Sequence, residues 1–457
     1  MKPSHRQQSS STTFASARDV AVRVLLRVET QEAYSNIVLD AEMSRQLMDE
    51  RDKRLCTRIV YGTLAMQRPI DAQLALLIEA DPATRLDPMM RASLRSALYQ
   101  LRYLDKTPAH AVVDEVVELV KRERGARPAG YANAILRKAV RRAGVLEGER
   151  AAASEAEAFG MRYSLPDELA QRAIEVLGAE RAARWGEAIN LPAPLYLRLR
   201  VQDEELRAAG ELRLHDSALR LERFEGRAKR ALQEGEAVVQ DLGSQLAVRF
   251  AGGLEGLRVW DVCAGQGVKS LHLADRMGGS GELWLSDLHE SKLRRARSLL
   301  QRCGVTAQSV AFDAAKGPLP AELESERFEV VFVDAPCSAL GLLRRHPELR
   351  WRHRSAQIPT LAKLQGEILA RASALVAAGG LLLYAVCTDS PEECVQQVEA
   401  FLAAHSEFAL ESRQQVLAAL GEQSEDAAYV DERGCLRTFI DRDDCDAFFA
   451  ARLRRRV

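Results

Sequence analysis

A chain of 457 residues, 47% hydrophobic and 28% charged, can build sizeable cores, which excludes a disordered or fibrous protein. At about 150 residues per domain it suggests two to four domains. The 64 Lys and Arg offset 65 Asp and Glu, so global charge neither supports nor excludes a nucleic-acid partner, and only a local patch can speak to it.

Cys56, Cys263, Cys303, Cys337, Cys387, Cys394, Cys435 and Cys445 are scattered, with no CxxC pair. That argues against a zinc site or a disulfide framework, so no metal is expected and a reducing cytoplasm is the simpler location. The Ser- and Gln-rich start, residues 1–16, lacks the apolar core of a signal peptide and reads as a disordered tail. The most apolar late run, Ala374 to Cys387, contains Gly379 and Gly380 and falls short of the about 18 residues a membrane span needs.

Residues 17–145 read as one helical domain. Val20, Ala21, Val24, Leu25 and Val28 form a stripe at helical spacing, and similar stripes recur at Arg54–Leu64, Met90–Leu104, Ala109–Lys121 and Gly130–Lys138. Residues 146–235 read as a linker and a small α+β subdomain. Glu147–Glu157 is rich in Ala and Glu, and Leu195–Arg200 alternates as a strand.

Residues 236–457 alternate strand and helix. Strands are expected at Leu257–Asp261, Glu282–Asp287, Ser309–Asp313, Phe328–Asp334 and Gly380–Val386. Apolar runs with helical crossovers imply a doubly wound, largely parallel α/β sheet, in which ligands bind at the carboxyl ends of strands. Asp261-Val-Cys263-Ala264-Gly265-Gln-Gly267-Val-Lys269-Ser270 joins the first strand to a helix. Its glycines let backbone approach a ligand, and Asp287, ending the next strand, is placed for ribose hydroxyls. A dinucleotide fingerprint would want a third glycine where Ser270 stands.

Phe328–Asp334 delivers a carboxylate to its strand end, followed by Pro336 and the thiol of Cys337. Arg344, Arg345, His346, Arg350, Trp351 and Arg352 follow. An acid and a thiol followed by cations around an aromatic suggest chemistry on a base within a polyanion; a strand end with a solvated charged loop is the alternative. Cys387 follows the most apolar strand and adds a second thiol at the same sheet edge if strands four and five pair.

Asp334-Ala-Pro-Cys337-Ser338, Arg344-Arg-His-Pro347 and Tyr384-Ala-Val-Cys387-Thr-Asp-Ser-Pro-Glu-Glu393 together resemble the NOL1/NOP2/Sun family of RNA cytosine-C5 methyltransferases. Arg51–Gly62, Thr107–Glu115 and Ala132–Arg137 resemble the NusB-like RNA-binding domain that precedes the catalytic part in the RsmB-like branch, which modifies 16S ribosomal RNA. The match covers most of residues 17–457.

The resemblance implies a Rossmann-like class I methyltransferase domain using S-adenosyl-L-methionine. Asp261, Cys263, Ala264, Gly265, Gly267, Lys269, Asp287, Asp313 and Asp334 would surround that cofactor. Cys387 would be the nucleophile, Cys337 would assist elimination, and Lys269 would orient Asp334 and the base. Arg344, Arg345, His346 and Arg350 would hold phosphates. The expected partner is small-subunit ribosomal RNA, and the expected state a cytoplasmic monomer. Where the family has Ala-Pro-Gly-Gly-Lys-Thr, this chain has Ala264-Gly-Gln-Gly-Val-Lys-Ser270; Ala339-Leu340 and Thr388 also depart from its pattern. Two other readings stand beside it. A non-catalytic RNA-binding or ribosome-assembly protein would fit the altered loop, and a nicotinamide-dependent oxidoreductase would fit the sheet but not the paired cysteines.

Overall fold

The computed structural model describes residues 16–142, 154–214, 217–421 and 424–457. Residues 1–15 of the expected tail and most of the Ala/Glu-rich linker lie outside these residues, while Ser16 is described. The chain divides into two compact units: residues 1–174 with His346–Arg352, and residues 175–345 with 353–457.

The first unit is helical. Helix α1 (Ala17–Gln31) starts where Ser16 Oγ accepts from the Asp19 N–H. Helix α2 spans Ser35–Ser44, and α3 (Glu50–Ala65) is capped by Asp49, which accepts from Asp52 N–H. A later helix, Pro88–Tyr103, has Pro88 in its first turn and Asp87 accepting from Met89 and Met90 N–H. These caps satisfy donors that a helix cannot satisfy itself. The predicted stripe is buried: Val20, Val24, Ile59, Leu94 and Val116 are completely enclosed in one core.

The segment His346–Arg352 belongs to this unit because its polar groups complete helix ends. Glu348 accepts from the Ser35 N–H and hydroxyl, both at 2.9 Å, at the start of α2. Arg350 donates to the Ala65 carbonyl and the Trp351 indole to the Leu64 carbonyl, at the end of α3. Arg352 donates to the carbonyls of Val28, Glu32 and Ala33, around the end of α1. Terminal helix carbonyls carry partial negative charge, so cations are favoured there.

The second unit holds two sheets. A small antiparallel sheet has the order β2-β3-β1-β4, from β1 (Leu195–Leu199), β2 (Glu211–Arg213), β3 (Ala218–Leu221) and β4 (Ala237–Val239). The large sheet is built from β5 (Arg258–Asp261), β6 (Glu282–Asp287), β7 (Gln308–Ala311), β8 (Phe328–Asp334), β9 (Val376–Val386), β10 (Phe408–Leu410) and β12 (Phe449–Arg455), with β11 (Leu436–Arg437) against β12. The order is β10-β12-β9-β8-β5-β6-β7.

Strands β5 to β9 are parallel, as expected, and β12 runs antiparallel beside β9. Strands β10 to β12 lacked a sequence expectation. Strand β7 ends at Ala311, so Asp313 lies in the following turn instead of at the strand end. Alternation in β8 and β9 separates two cores. Val330, Phe332, Leu381 and Leu383 face one, while Val331, Val333, Leu382 and Tyr384 face the other. Strand order reverses about β5, which puts the loop after Asp261 at the topological switch point.

Candidate active site

The cofactor half is built on the ends of β5 and β6. Asp261 is buried at the end of β5; one oxygen, Oδ2, accepts from the Ser270 hydroxyl at 2.6 Å, and the other, Oδ1, makes no hydrogen bond. Burial pushes this carboxyl up to about 7, against the pull of Ser270. Asp287 accepts from Gly265 N–H at 3.0 Å and from His289 N–H at 2.8 Å, which fastens the loop to the next strand end. Ala264 N–H donates to the Ser286 carbonyl, and Gly267 N–H to the Ala264 carbonyl, closing the turn. Burial pushes the Cys263 thiol well up. Asp313 is more remote in role: its Oδ1 accepts from Ala315 and Lys316 N–H and shapes its own turn.

An adenosyl sulfonium fits this half on two observations. Asp261 Oδ1 is a buried acceptor with spare capacity, suited to an ammonium. A Cβ built on Gly265 meets nothing nearer than the Cys263 carbonyl oxygen at 4.0 Å, so the loop surface is open there.

The thiol half lies on β8 and β9. Their parallel register sets Asp334 beside Ala385, two residues before Cys387. Cys337 Sγ and Cys387 Sγ are 3.3 Å apart. The contact with Cys387, then burial, pushes the Cys337 thiol well above its ordinary range. Lys269 Nζ lies 2.8 Å from Asp334 Oδ2 and 5.1 Å from the centre of the Phe448 ring. Burial alone would lower the lysine, and Asp334 more than reverses that, so the ammonium stays charged.

The loop between the thiols is held by backbone. Gly341 N–H donates to the Cys387 carbonyl at 3.1 Å, and Ala447 N–H to the Gly341 carbonyl at 3.0 Å. Ala339, where the resembling family has glycine, adopts the left-handed conformation with φ 55°. That conformation costs an alanine roughly 1 kcal/mol.

The cationic segment is differently placed from its expected role. Arg344 pairs with Asp444 at 2.8 Å and donates to the Pro192 carbonyl. Arg345 bridges Asp241 and Asp446 at 2.7 and 2.8 Å. His346 Nδ1 is 3.3 Å from Glu348, and Arg350 is 0% exposed. Their polar groups engage protein carboxylates and carbonyls, and the enclosed Arg350 has no surface to offer a phosphate. Sequence reading missed Glu393, Gln365, Phe448 and Gly341. Pro391-Glu-Glu393 was visible after Cys387, but nothing in the sequence marks which glutamate is buried.

A family model described as 16S rRNA methyltransferase RsmB/F matches residues 254–454, and a NusB family model matches residues 15–141. Ribosomal RNA small subunit methyltransferase B of Pseudomonas putida is 32% identical over 398 residues, covering 84% of this chain and 88% of that protein. The protein of the same name from Vibrio cholerae is 33% identical over 377 residues, covering 79% and 83%. The chain belongs to the ribosomal RNA small subunit methyltransferase B family. Its fold is shared with the solved structure of PH0851, with TM-score 0.79 and 24% identity over 95% of this chain and 98% of that one. NSun6 from Pyrococcus horikoshii, solved with SFG, has TM-score 0.52 and 18% identity over 64% and 98%. Membership of the family makes this chain a methyltransferase with a NusB domain ahead of its α/β domain. Among the described residues no helix is long and apolar enough to cross a membrane.

Proposed function

We propose that this chain transfers a methyl group from S-adenosyl-L-methionine to C5 of a cytosine in small-subunit ribosomal RNA, 16S RNA in the expected case. The observation that carries the reading is the pair of thiols 3.3 Å apart beside the Lys269–Asp334 ion pair, at the sheet edge that also bears the cofactor loop.

Cytosine C5 is a poor nucleophile until a thiolate adds to C6 and turns the ring into an enamine. Cys387 is the attacking thiol by the family resemblance of its motif, and Cys337 lies 3.3 Å away as its partner. Addition to C6 needs a proton or a hydrogen bond at N3; in the Lys269–Asp334 pair the ammonium is the donor, so Lys269 supplies it while Asp334 orients Lys269 and accepts from the amine of the base. The bound cofactor supplies the electrophilic methyl. After transfer, the C5 proton leaves as a base removes it, the C6–S bond breaks, and Cys387 is released with its electron pair. Cys337, hydrogen-bonded to that sulfur, assists this elimination. Asp261 and Asp287 would hold the amine and ribose of the cofactor, Cys263, Ala264, Gly265 and Gly267 would form the turn beside them, and Asp313 would serve the adenine. The target base must be unstacked to reach this edge.

RNA affinity is assigned to the helical unit, where Arg51 and Arg54 are exposed on α3. Their replacement by Glu should weaken RNA binding and flatten its salt dependence. The chemical reading is tested with Cys337→Ala, labelled cofactor and cellular RNA. A covalent RNA–protein complex that survives a denaturing gel is expected. Turnover unchanged and no complex would show that the two cysteine roles are wrongly assigned.

A further inference from the structure

The Cys337 turn and the Cys387 turn are joined by one buried carboxylate that the reaction itself does not use. Glu393 is 0% exposed. Its Oε1 accepts from the Ser338 N–H at 2.8 Å and from Gln365 Nε2 at 2.9 Å, and its Oε2 accepts from the Ser338 hydroxyl. Three donors converge on a group that, ionised, can only accept. Gln365 Nε2 also donates to the Pro336 carbonyl, and the Tyr384 hydroxyl shares its one proton between the Glu393 carbonyl at 2.7 Å and Gln365 Oε1 at 3.0 Å. Ser338 Oγ lies 3.1 Å from Thr388 Oγ1. Ser338 follows Cys337 and Thr388 follows Cys387, so this network fixes each thiol through its chain neighbour.

We propose that Glu393 is a positioning residue for the methyl transfer, its carboxylate clamping the Cys337–Ser338 turn onto the Thr388–Cys394 turn and so setting the approach of the two thiols. This rests on the reading that Cys387 attacks the base and Cys337 acts after it. A clamp built from a charge does a second thing that a neutral clamp would not. Glu393 also raises the Cys337 thiol electrostatically, after its contact with Cys387 and burial, and so helps keep the proton on the cysteine that must not attack. The other groups that bear on this site are the Tyr384 hydroxyl and the Cys394 thiol, both held up chiefly by burial, and the Lys269–Asp334 pair on the side of Cys387.

The test is the pH profile of iodoacetamide alkylation at Cys337 and Cys387, read by peptide mass spectrometry on the full-length protein without RNA or cofactor. In Glu393→Gln the Cys337 profile should move to lower pH, with alkylation at pH 8 faster by about threefold or more. In parallel kcat should fall with KM for RNA unchanged. A parental Cys337 profile and parental kcat in folded Glu393→Gln would overturn the proposal. If that variant does not fold, Ser338→Ala, which removes a donor to Glu393 and keeps its charge, decides the clamp: a lower kcat with KM for RNA unchanged supports it, and a parental kcat overturns it. Because alkylation needs no substrate, an inactive parent protein would sink the cytosine reading while leaving the clamp measurable. A methylating parent with an unshifted variant would sink only the clamp.

Discussion

The cofactor half and the thiol half of the sheet edge solve opposite problems. At the ends of β5 and β6 the polar groups keep spare capacity: Asp261 Oδ1 makes no hydrogen bond, and the surface over Gly265 is open. At the ends of β8 and β9 the groups around the thiols are satisfied from within, through Glu393, Gln365, Tyr384 and Ser338. One half is completed by a ligand and the other by the protein. The difference follows from chemistry. A binding site must exchange hydrogen bonds with its ligand, whereas the proposed reaction needs its two thiols held at a fixed separation before the base arrives.

The largest test of that contrast is Cys387→Ala. On the proposed mechanism it removes the covalent route without touching the cofactor half, so methylation in a labelled-cofactor assay should drop by at least about 10³-fold while cofactor affinity by calorimetry is unchanged. Gly341→Ala comes next and is a test of self-completion. Its Cβ would lie 2.1 Å from the Ala447 carbonyl oxygen and 2.9 Å from that of Cys387. Backbone must move, and chemical denaturation should report about 2–4 kcal/mol lost.

Asp261→Asn probes the ligand-completed half. Cofactor binding should weaken by about 1–3 kcal/mol if, as proposed, Asp261 is the charged partner of the amine. The sign with pH is fixed by burial, which lifts this carboxyl from 3.8 to about 7. The folded protein therefore holds the proton more tightly than the unfolded chain. Ionised Asp261 costs stability above about pH 7, and that cost is relieved as pH falls. Cofactor affinity goes the other way, declining below about pH 7 as the carboxylate is protonated, and Asp261→Asn should abolish that slope. The smallest effect on stability is expected for Gly265→Ala. With φ 56° and open space at the Cβ, it should lose about 1 kcal/mol of stability while weakening cofactor binding more. Equal losses for Gly265→Ala and Gly341→Ala would erase the distinction between the halves.

Much of this was legible in residue order. Apolar β-branched runs ending on Asp261, Asp287 and Asp334, the glycine turn, and thiols just past two strand ends are local facts, since burial periodicity and turn chemistry are set by near neighbours. The helical stripe from Val20 to Val28 was local in the same way, as were the motifs that carried the family resemblance. Tertiary structure decided what those elements meet. The pairing of β8 with β9 brought Cys337 to Cys387, which are separated by 50 positions. Strands β10 to β12 extended the sheet where the sequence offered only short, weakly patterned segments. Arginines that read as phosphate contacts became helix caps and carboxylate partners: Arg350 reaches Ala65 across 285 positions, and Glu348 reaches Ser35 across 313. A charged side chain in a sequence announces that it needs a partner, but the free energy of burying it depends on groups the chain brings close only when it folds.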